Sequence, residues 1–442
     1  MAISKLLFKS FYWKILQFAT SFVVNILFAR IFQSTLSAEF YSLIYMISLL
    51  TSGFTLGLDI GLNYYLSRGE MSAPTARKII AAITGMAVVA GIILLYLLYP
   101  ASRHPGFGVG TILLLSAFQI AGVLLTTLTG ALFTAYGDNY LPSRYACLIN
   151  VFVAVLSVLL YHSFSGPPLV KALFYLYFTF SLLQGLILYI LAAQYSSKGV
   201  SSVGMRDVVR FSFSAFVTNF IFFFGARIGL YLLPHFASVN DQGNYIQAYK
   251  IVEYLCGIAA ILYYPLITVV AGMNMERMAE KVLFLVRLSN TAVLFFSLVI
   301  LGSGWWLFPL VFGNSFHHMY GISICLIPGL FAACSSTFFT AFFYGTGHLQ
   351  YNFVSACIQV SGAFVLLFVL APVLGATGAA LAFSGAGLLS MGYDCWVLNK
   401  IFSYHIRDLF FVQKEDRRVL GQAYTSYMAA KRSLAKDRRP VQ

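Results

Sequence analysis

Seven ionisable side chains lie inside long apolar stretches of this chain: Lys14, Arg30, Asp59, Arg227, Lys250, Glu253 and Asp394. A charge in such a setting costs roughly 3 kcal/mol or more, so it is retained where it meets a cargo, an ion or a counter-charge. Four of the seven are cations. Guanidinium forks and ammonium groups in a low-dielectric cavity suit phosphate and pyrophosphate, so Arg227, Lys250, Arg30 and Lys14 point to an anionic ligand. Asp59, Glu253 and Asp394 suit binding of a proton or sodium ion, or serve only as counter-charges.

Plainer roles exist for most of these groups. Lys14 and Arg30, near the ends of one stretch, can snorkel to lipid headgroups. Lys250 and Glu253 stand at i and i+3 and can neutralise each other. Asp394 can sit at a membrane interface. Arg227 is deepest, about nine residues from the end of its stretch, too far for comfortable snorkelling, and is expected to face a polar cavity. A cavity-facing cation adds little to stability, so an Arg227→Ala chain is expected to fold; loss of the protein would instead point to a buried ion pair with Glu253, at a comparable depth on the next stretch. Tyrosines cluster nearby in sequence, with Tyr41, Tyr45, Tyr64 and Tyr65 in one stretch and Tyr245 and Tyr249 in another. Their rings and hydroxyls suit sugars, and equally the aromatic belts of membrane interfaces. His317 and His318, in a connector without partner acids, read as surface histidines.

The elements that carry these groups are membrane spans. Hydrophobic residues make up 60% of the 442 and charged residues 10%, more apolar surface than a soluble fold can hide. A span needs about 20 apolar residues, and runs of that length are expected near 12–33, 40–66, 77–99, 107–135, 144–163, 168–194, 210–236, 243–271, 284–312, 319–345, 350–371 and 374–398. The first run, with Gln17 and Asn25 inside it, is too long and polar for a cleaved signal peptide. The net charge of +14 is no nucleic-acid signature, because it alternates by connector. Arg68, Arg77, Lys78, Arg144, Arg206, Arg210 and the basic tail beyond Lys400 fall on one side, with only Arg30, Arg103 and Lys171 on the other. The positive-inside rule then places both termini in the cytoplasm, with basic connectors attracting anionic membrane lipids.

The most polar internal break, 195–209, divides the chain into residues 1–200 and 201–400, each an expected six-helix bundle, followed by a basic cytoplasmic tail, 401–442. At an offset of 210, Ala131, Phe133, Gly137, Ala146 and Cys147 recur as Ala341, Phe343, Gly347, Ala356 and Cys357. Repeats separated by six spans keep one orientation. The expected fold is therefore an all-α polytopic membrane protein of about twelve transmembrane helices, in two pseudo-two-fold six-helix bundles around a central cavity. Two such bundles can rock between inward-open and outward-open states. The segment SYHIRDLFFVQ of the tail can lie on the inner surface as an amphipathic helix, and the polar remainder lacks the apolar content to fold alone. The six cysteines all fall in apolar runs at no metal-like spacing and read as small core residues.

Absences narrow the function. No glycine-rich phosphate loop ending in GK[ST] occurs, and no His/Asp/Glu cluster resembles a metal site, so neither an ATPase nor a cofactor is expected. The short outer connectors leave no room for a catalytic constellation, which speaks against an enzyme, in particular a membrane glycosyltransferase, polymerase or ligase.

Residues 28–70, FARIFQSTLSAEFYSLIYMISLLTSGFTLGLDIGLNYYLSRGE, resemble the first hairpin of bacterial polysaccharide (O-antigen/exopolysaccharide) flippases of the multidrug/oligosaccharidyl-lipid/polysaccharide exporter superfamily. Ala29, Arg30, Glu39, Tyr41, Gly57, Leu58, Asp59, Gly61 and Leu62 carry the likeness. Arg227 and the Gly243, Tyr245 and Ala248 of GNYIQAYK extend it to the second half. Ala226 departs from the acid the family often places before that arginine, and Ser42 from a common glycine. The chain looks less like the lipid II flippase branch, which usually has fourteen spans. The resemblance implies a cargo of undecaprenyl-pyrophosphate-linked oligosaccharide, flipped across the bacterial inner membrane without ATP for surface polysaccharide or lipopolysaccharide synthesis. It implies H+ or Na+ as coupling ion and a polysaccharide polymerase and chain-length proteins as partners. The runner-up is a drug/cation antiporter of the same superfamily, whose cavity would be acid-dominated.

Overall fold

The computed structural model describes residues 2–98, 107–195, 205–261 and 275–402. The tail, its SYHIRDLFFVQ segment, most of the 195–209 break and the last part of the eighth expected run lie outside the described residues. Among these residues all regular structure is helical: α1 (Ala2–Thr55), α2 (Leu58–Ser67), α3 (Ala73–Leu98), α4 (Val109–Ala135), α5 (Leu141–Ser163), α6 (Pro167–Leu191), α7 (Met205–Leu232), α8 (Val239–Ile261), α9 (Met275–Phe312), α10 (Met319–Gly345) and α11 (Leu349–Phe402).

Nine of these stretches are long and apolar enough to cross a membrane, and two of them, Lys9–Thr55 and Leu349–Lys400, span 47 and 52 residues. Each long stretch is two passes folded at a single residue. At Gln33 the backbone takes φ 57, ψ −173. The rings of Phe28 and Phe40 then lie 5.5 Å apart, where an unbroken helix would hold residues twelve apart at about 18 Å. At Gly375 the backbone takes φ 57, ψ −129, and beyond it Ser355 and Ser390 meet through hydroxyls 2.7 Å apart. Adding α8, 23 residues long and so about 34 Å at 1.5 Å per residue, the described residues provide the expected twelve passes. The second pass differs from the expected continuous 40–66 helix. Leu56 (φ 48) and Gly57 (φ 68) are both left-handed, so the helix stops at Thr55 and restarts at Leu58.

The repeated segments adopt one turn. Gly137 N–H donates to Thr134 C=O (3.0 Å) and Asp138 N–H to Phe133 C=O (2.8 Å); Gly347 N–H donates to Tyr344 C=O (3.2 Å) and His348 N–H to Phe343 C=O (2.9 Å). Both are the six-to-one and five-to-two bonds of a Schellman cap, which needs a left-handed residue after the helix. Gly137 and Gly347, at φ 82 and 77, supply it without a Cβ clash.

Large apolar side chains such as Val89, Leu97, Trp305 and Val373 cover the outside of the bundle, as a lipid-facing surface requires. Helix α8 is the exception in composition. Asn240, Asn244, Gln247, Lys250 and Glu253 recur along it at spacings of three and four. Lipid would leave these groups unsatisfied, and the helix is enclosed by protein instead, with Gln242, Asn244, Tyr245, Gln247 and Tyr249 all buried. It packs against α1 and α10, and at its start Gly243 approaches so closely that a Cβ there would overlap the Ser34 carbonyl.

Candidate functional site: a charged seam between α1, α7 and α8

The polar stripe of α8 meets the first two passes. Lys250 Nζ donates to Asn25 Oδ1 at 2.9 Å and sits 3.4 Å from the centre of the Tyr41 ring. Asn25 Nδ2 in turn donates to Gln247 Oε1 at 2.9 Å. One turn further along α8, Glu253 Oε1 accepts from Arg227 Nη2 of α7 at 2.7 Å, and Glu253 Oε2 accepts from the Tyr45 hydroxyl at 2.8 Å. Arg227 also stacks over Phe223, 4.2 Å from its centre. The Tyr249 hydroxyl donates to the Ala226 carbonyl at 2.7 Å, which fixes α7 against α8 beside the pair. Residues from passes one, two, seven and eight thus converge, and most of their polar groups bond to one another, while Arg227 Nε and Gln247 Nε2 are buried without a hydrogen-bond partner among the described residues.

The expected neutralisation of Lys250 by Glu253 is not what forms. A rise of three residues turns the two side chains about 60° apart around the helix axis, so Lys250 turns to α1 and Glu253 to α7. The carboxylate therefore cancels Arg227, while Lys250 is met by a neutral amide and a ring face. Among the described residues no carboxylate pairs with Lys250. The ion pair also alters the expectation for Arg227→Ala, because that change would strand a carboxylate.

The remaining candidates are scattered around this centre. Lys14 stacks on Phe18, 5.5 Å from the ring centre, and Phe18 packs on Tyr254, so Lys14 continues the α1–α8 seam. Arg30 lies at the far end of the first pass, donating through Nε to Val311 C=O at 2.7 Å and through Nη2 to Leu310 C=O. Asp59 stands in the first turn of α2, where unbonded amides favour a carboxylate. Asp394 is 2% exposed; Ser336 of α10 donates to its Oδ2 at 3.4 Å, and its Oδ1 has no hydrogen-bond partner among the described residues. It therefore lies between α10 and α11, covered by protein. His318 is not without an acid: its Nδ1 lies 2.8 Å from Asp241 Oδ1. Cys256 and Cys334 remain free thiols, with sulfurs 3.7 Å apart.

Asn25, Tyr41, Tyr45 and Gln247 carry as much of this geometry as the charges do. Gln247, three residues before Lys250 in the polar stripe of α8, shares its face, and that spacing is the signal that marks it in the sequence. Tyr45 is marked in the sequence only by its tyrosine cluster, and its bond to Glu253 is not, because that partner is 208 residues away.

No protein-family model matches the chain, and no curated protein matches it. Solved structures do. A lipid II flippase, MurJ, in an inward closed conformation superposes with a TM-score of 0.67 at 14% identity, covering 91% of this chain and 88% of that one. A multidrug resistance MATE family transporter of the MOP superfamily, in an inward-facing conformation, gives 0.65 at 14% identity, covering 88% and 95%. A MOP superfamily transporter from Pyrococcus furiosus, whose description speaks of a binding pocket of reverse polarity, gives 0.62 at 13% identity over 89% and 95%. The chain has the fold of MOP-superfamily transporters.

Proposed function

We propose that the chain is an exporter, not an enzyme, that flips an undecaprenyl-pyrophosphate-linked oligosaccharide across the bacterial inner membrane by alternating access, for surface polysaccharide synthesis. The observation that carries this reading is Lys250. It is a cation in the seam between passes one and eight with an amide and an aromatic ring as partners, whereas the carboxylate one turn away is already matched by Arg227. A seam whose cations outnumber its one paired carboxylate stabilises a phosphate-bearing cargo and repels a cationic drug. The tyrosines around it, Tyr41 and Tyr45 on one side and Tyr249 on the other, offer ring faces and hydroxyls to sugars.

Residues 1–200 and 201–400 act as the two rocking halves, and the identical turns at Gly137 and Gly347 support that pairing. Lys14, Arg227 and Lys250 follow one another along the seam as cations for a phosphate to meet, whereas Arg30 lies outside it, at the far end of the first pass. Asp394, buried with no cation beside it among the described residues, and Asp59 at its helix start are the carboxylates left for H+ or Na+ coupling; Glu253 is paired with Arg227. Both termini are cytoplasmic in this reading.

A drug/cation antiporter is the second reading, favoured by Glu253, which would attract a cation whenever Arg227 swung away, and by the multidrug transporters that share the fold. Deletion in the source cell separates the two. The flippase reading expects loss of a surface glycan with its lipid-linked precursor trapped in the inner leaflet, and Lys250→Met restoring neither. Unchanged surface glycan with raised sensitivity to cationic drugs would refute it and establish the second.

A further inference from the structure

A cavity of about 550 Å³ lies between α1, α5 and the end of α9, away from the Lys250–Glu253 cluster. Its walls include Leu27, Ile31, Val158 and Leu310, and its polar groups include Arg30 and Asn314. Val158, Tyr161 and Leu310 on its rim are 42%, 59% and 58% exposed, on the surface that faces lipid, so the cavity opens sideways into the bilayer. Arg30 stands three residues before the Gln33 reversal and Asn314 two residues beyond the end of α9, which puts the polar end at the level where the chain leaves the membrane.

Arg30 is held for a purpose beyond its present bonds. Its two donations go to Val311 and Leu310 carbonyls in the last turn of α9, where helix geometry leaves acceptors free. Those bonds fix the plane of the guanidinium and use two of its five N–H groups. The side chain stays exposed, and among the described residues no carboxylate pairs with it. The remaining fork is an anion receptor of fixed orientation beside an apolar slot.

We infer that this cavity binds the phosphodiester headgroup of an anionic phospholipid of the surrounding bilayer, with Arg30 and Asn314 on the phosphate and the upper chain carbons against Leu27, Ile31, Val158 and Leu310. The volume falls in the range of roughly 300–1,000 Å³ typical of small-molecule sites, enough for a headgroup and the start of its chains and too little for an oligosaccharide. The exposed apolar rim favours a lipid over a soluble anion. Because Arg30 already joins α1 to α9, a lipid seated there fastens the first half of the chain to the second at the face of the Gln33 reversal. The inference goes beyond the flippase reading and does not depend on it, since no cargo takes part.

The test uses the purified full chain in detergent, titrated with phosphatidylglycerol or with zwitterionic phosphatidylcholine and followed by native mass spectrometry and thermal unfolding. Phosphatidylglycerol is expected to bind at one site about tenfold more tightly than phosphatidylcholine and to raise the unfolding temperature. Arg30→Met should abolish that preference. Leu27→Trp, which fills the slot and leaves Arg30 and its carbonyl bonds in place, should abolish it as well, so a folding defect of the first variant does not decide the matter. Arg68→Met, remote from the cavity, should keep it. Equal binding of both lipids by the unaltered chain, or an undiminished preference in Leu27→Trp, would overturn the inference. So would displacement of phosphatidylglycerol by millimolar inorganic phosphate, which would leave an anion site without a lipid.

Discussion

Removing the Arg227 side chain takes away one bond from a carboxylate that cannot find another. In the folded protein Glu253 Oε1 depends on Arg227 at 2.7 Å and Oε2 on the Tyr45 hydroxyl at 2.8 Å. The two charged side chains are 23% and 27% exposed, between the limits for which magnitudes are known. An exposed ion pair contributes about 0–1 kcal/mol, and deleting one partner of a fully buried pair costs about 3–5 kcal/mol. Arg227→Ala is therefore expected to destabilise the bundle by about 2 kcal/mol, close to thirtyfold in the folded-to-unfolded ratio at 1.4 kcal/mol per decade. Glu253→Gln keeps an oxygen for Arg227 and should cost about 1 kcal/mol, near a typical net hydrogen bond. In Arg227→Ala/Glu253→Gln the stranded charge is gone, so the double variant should be no less stable than Arg227→Ala, with a coupling of about 1–2 kcal/mol. Denaturant unfolding in mixed micelles, followed by tryptophan fluorescence and extrapolated linearly, measures all three. A coupling within about 0.3 kcal/mol of zero, the error with which independent sites add, would show that the pair does not hold the folded state together.

Three further outcomes are expected. Gly243→Leu places a side chain where the Ser34 carbonyl now stands; α1 and α8 should separate at that end, so that a cysteine at position 34 reacts with a membrane-impermeant maleimide many times faster than in the Gly243 parent, and equal rates would show that the approach is not needed. Asp241 lies before the apolar part of α8; burial raises its carboxyl, but hydrogen bonds from His318 and Ser238 outweigh burial and hold it below the usual carboxylate range. Its contribution to stability is then present above the unfolded value near 3.9 and is lost as pH falls through the folded one, so Asp241→Asn should be less stable than the unaltered chain at pH 6 and equal to it near pH 2, by thermal unfolding at both values. Finally, reporters fused before Met1 and after Gln442 should both be active only as cytoplasmic fusions, because twelve passes return the chain to its starting side, and opposite outcomes would remove one pass.

How the chain folds is largely legible from one dimension of its sequence, and how its charges pair is not. Runs of about 20 apolar residues determine membrane passes because an unsatisfied backbone in lipid is too costly, so twelve passes and an all-helical fold follow from composition and spacing alone. The recurrence of Gly137 as Gly347 likewise marks a repeated turn, since a Schellman cap needs a residue that tolerates positive φ. The rare charges flag the seam for the same reason: Lys250, Arg227 and Glu253 would be expelled from lipid unless something met them. What meets them is a matter of tertiary structure. Lys250 and Glu253 are adjacent in sequence terms yet separated around the helix, and only the tertiary structure, with α8 packed on α1 and reached by the long Arg227 side chain of α7, sends one to Asn25 and the other to Arg227. The break at Leu56–Gly57, the acid beside His318 and the meeting of Arg30 with the end of α9 were equally beyond sequence reading. Each depends on contacts between residues far apart along the chain, and hydrophobic periodicity reports which face of a helix is buried without reporting what lies opposite it.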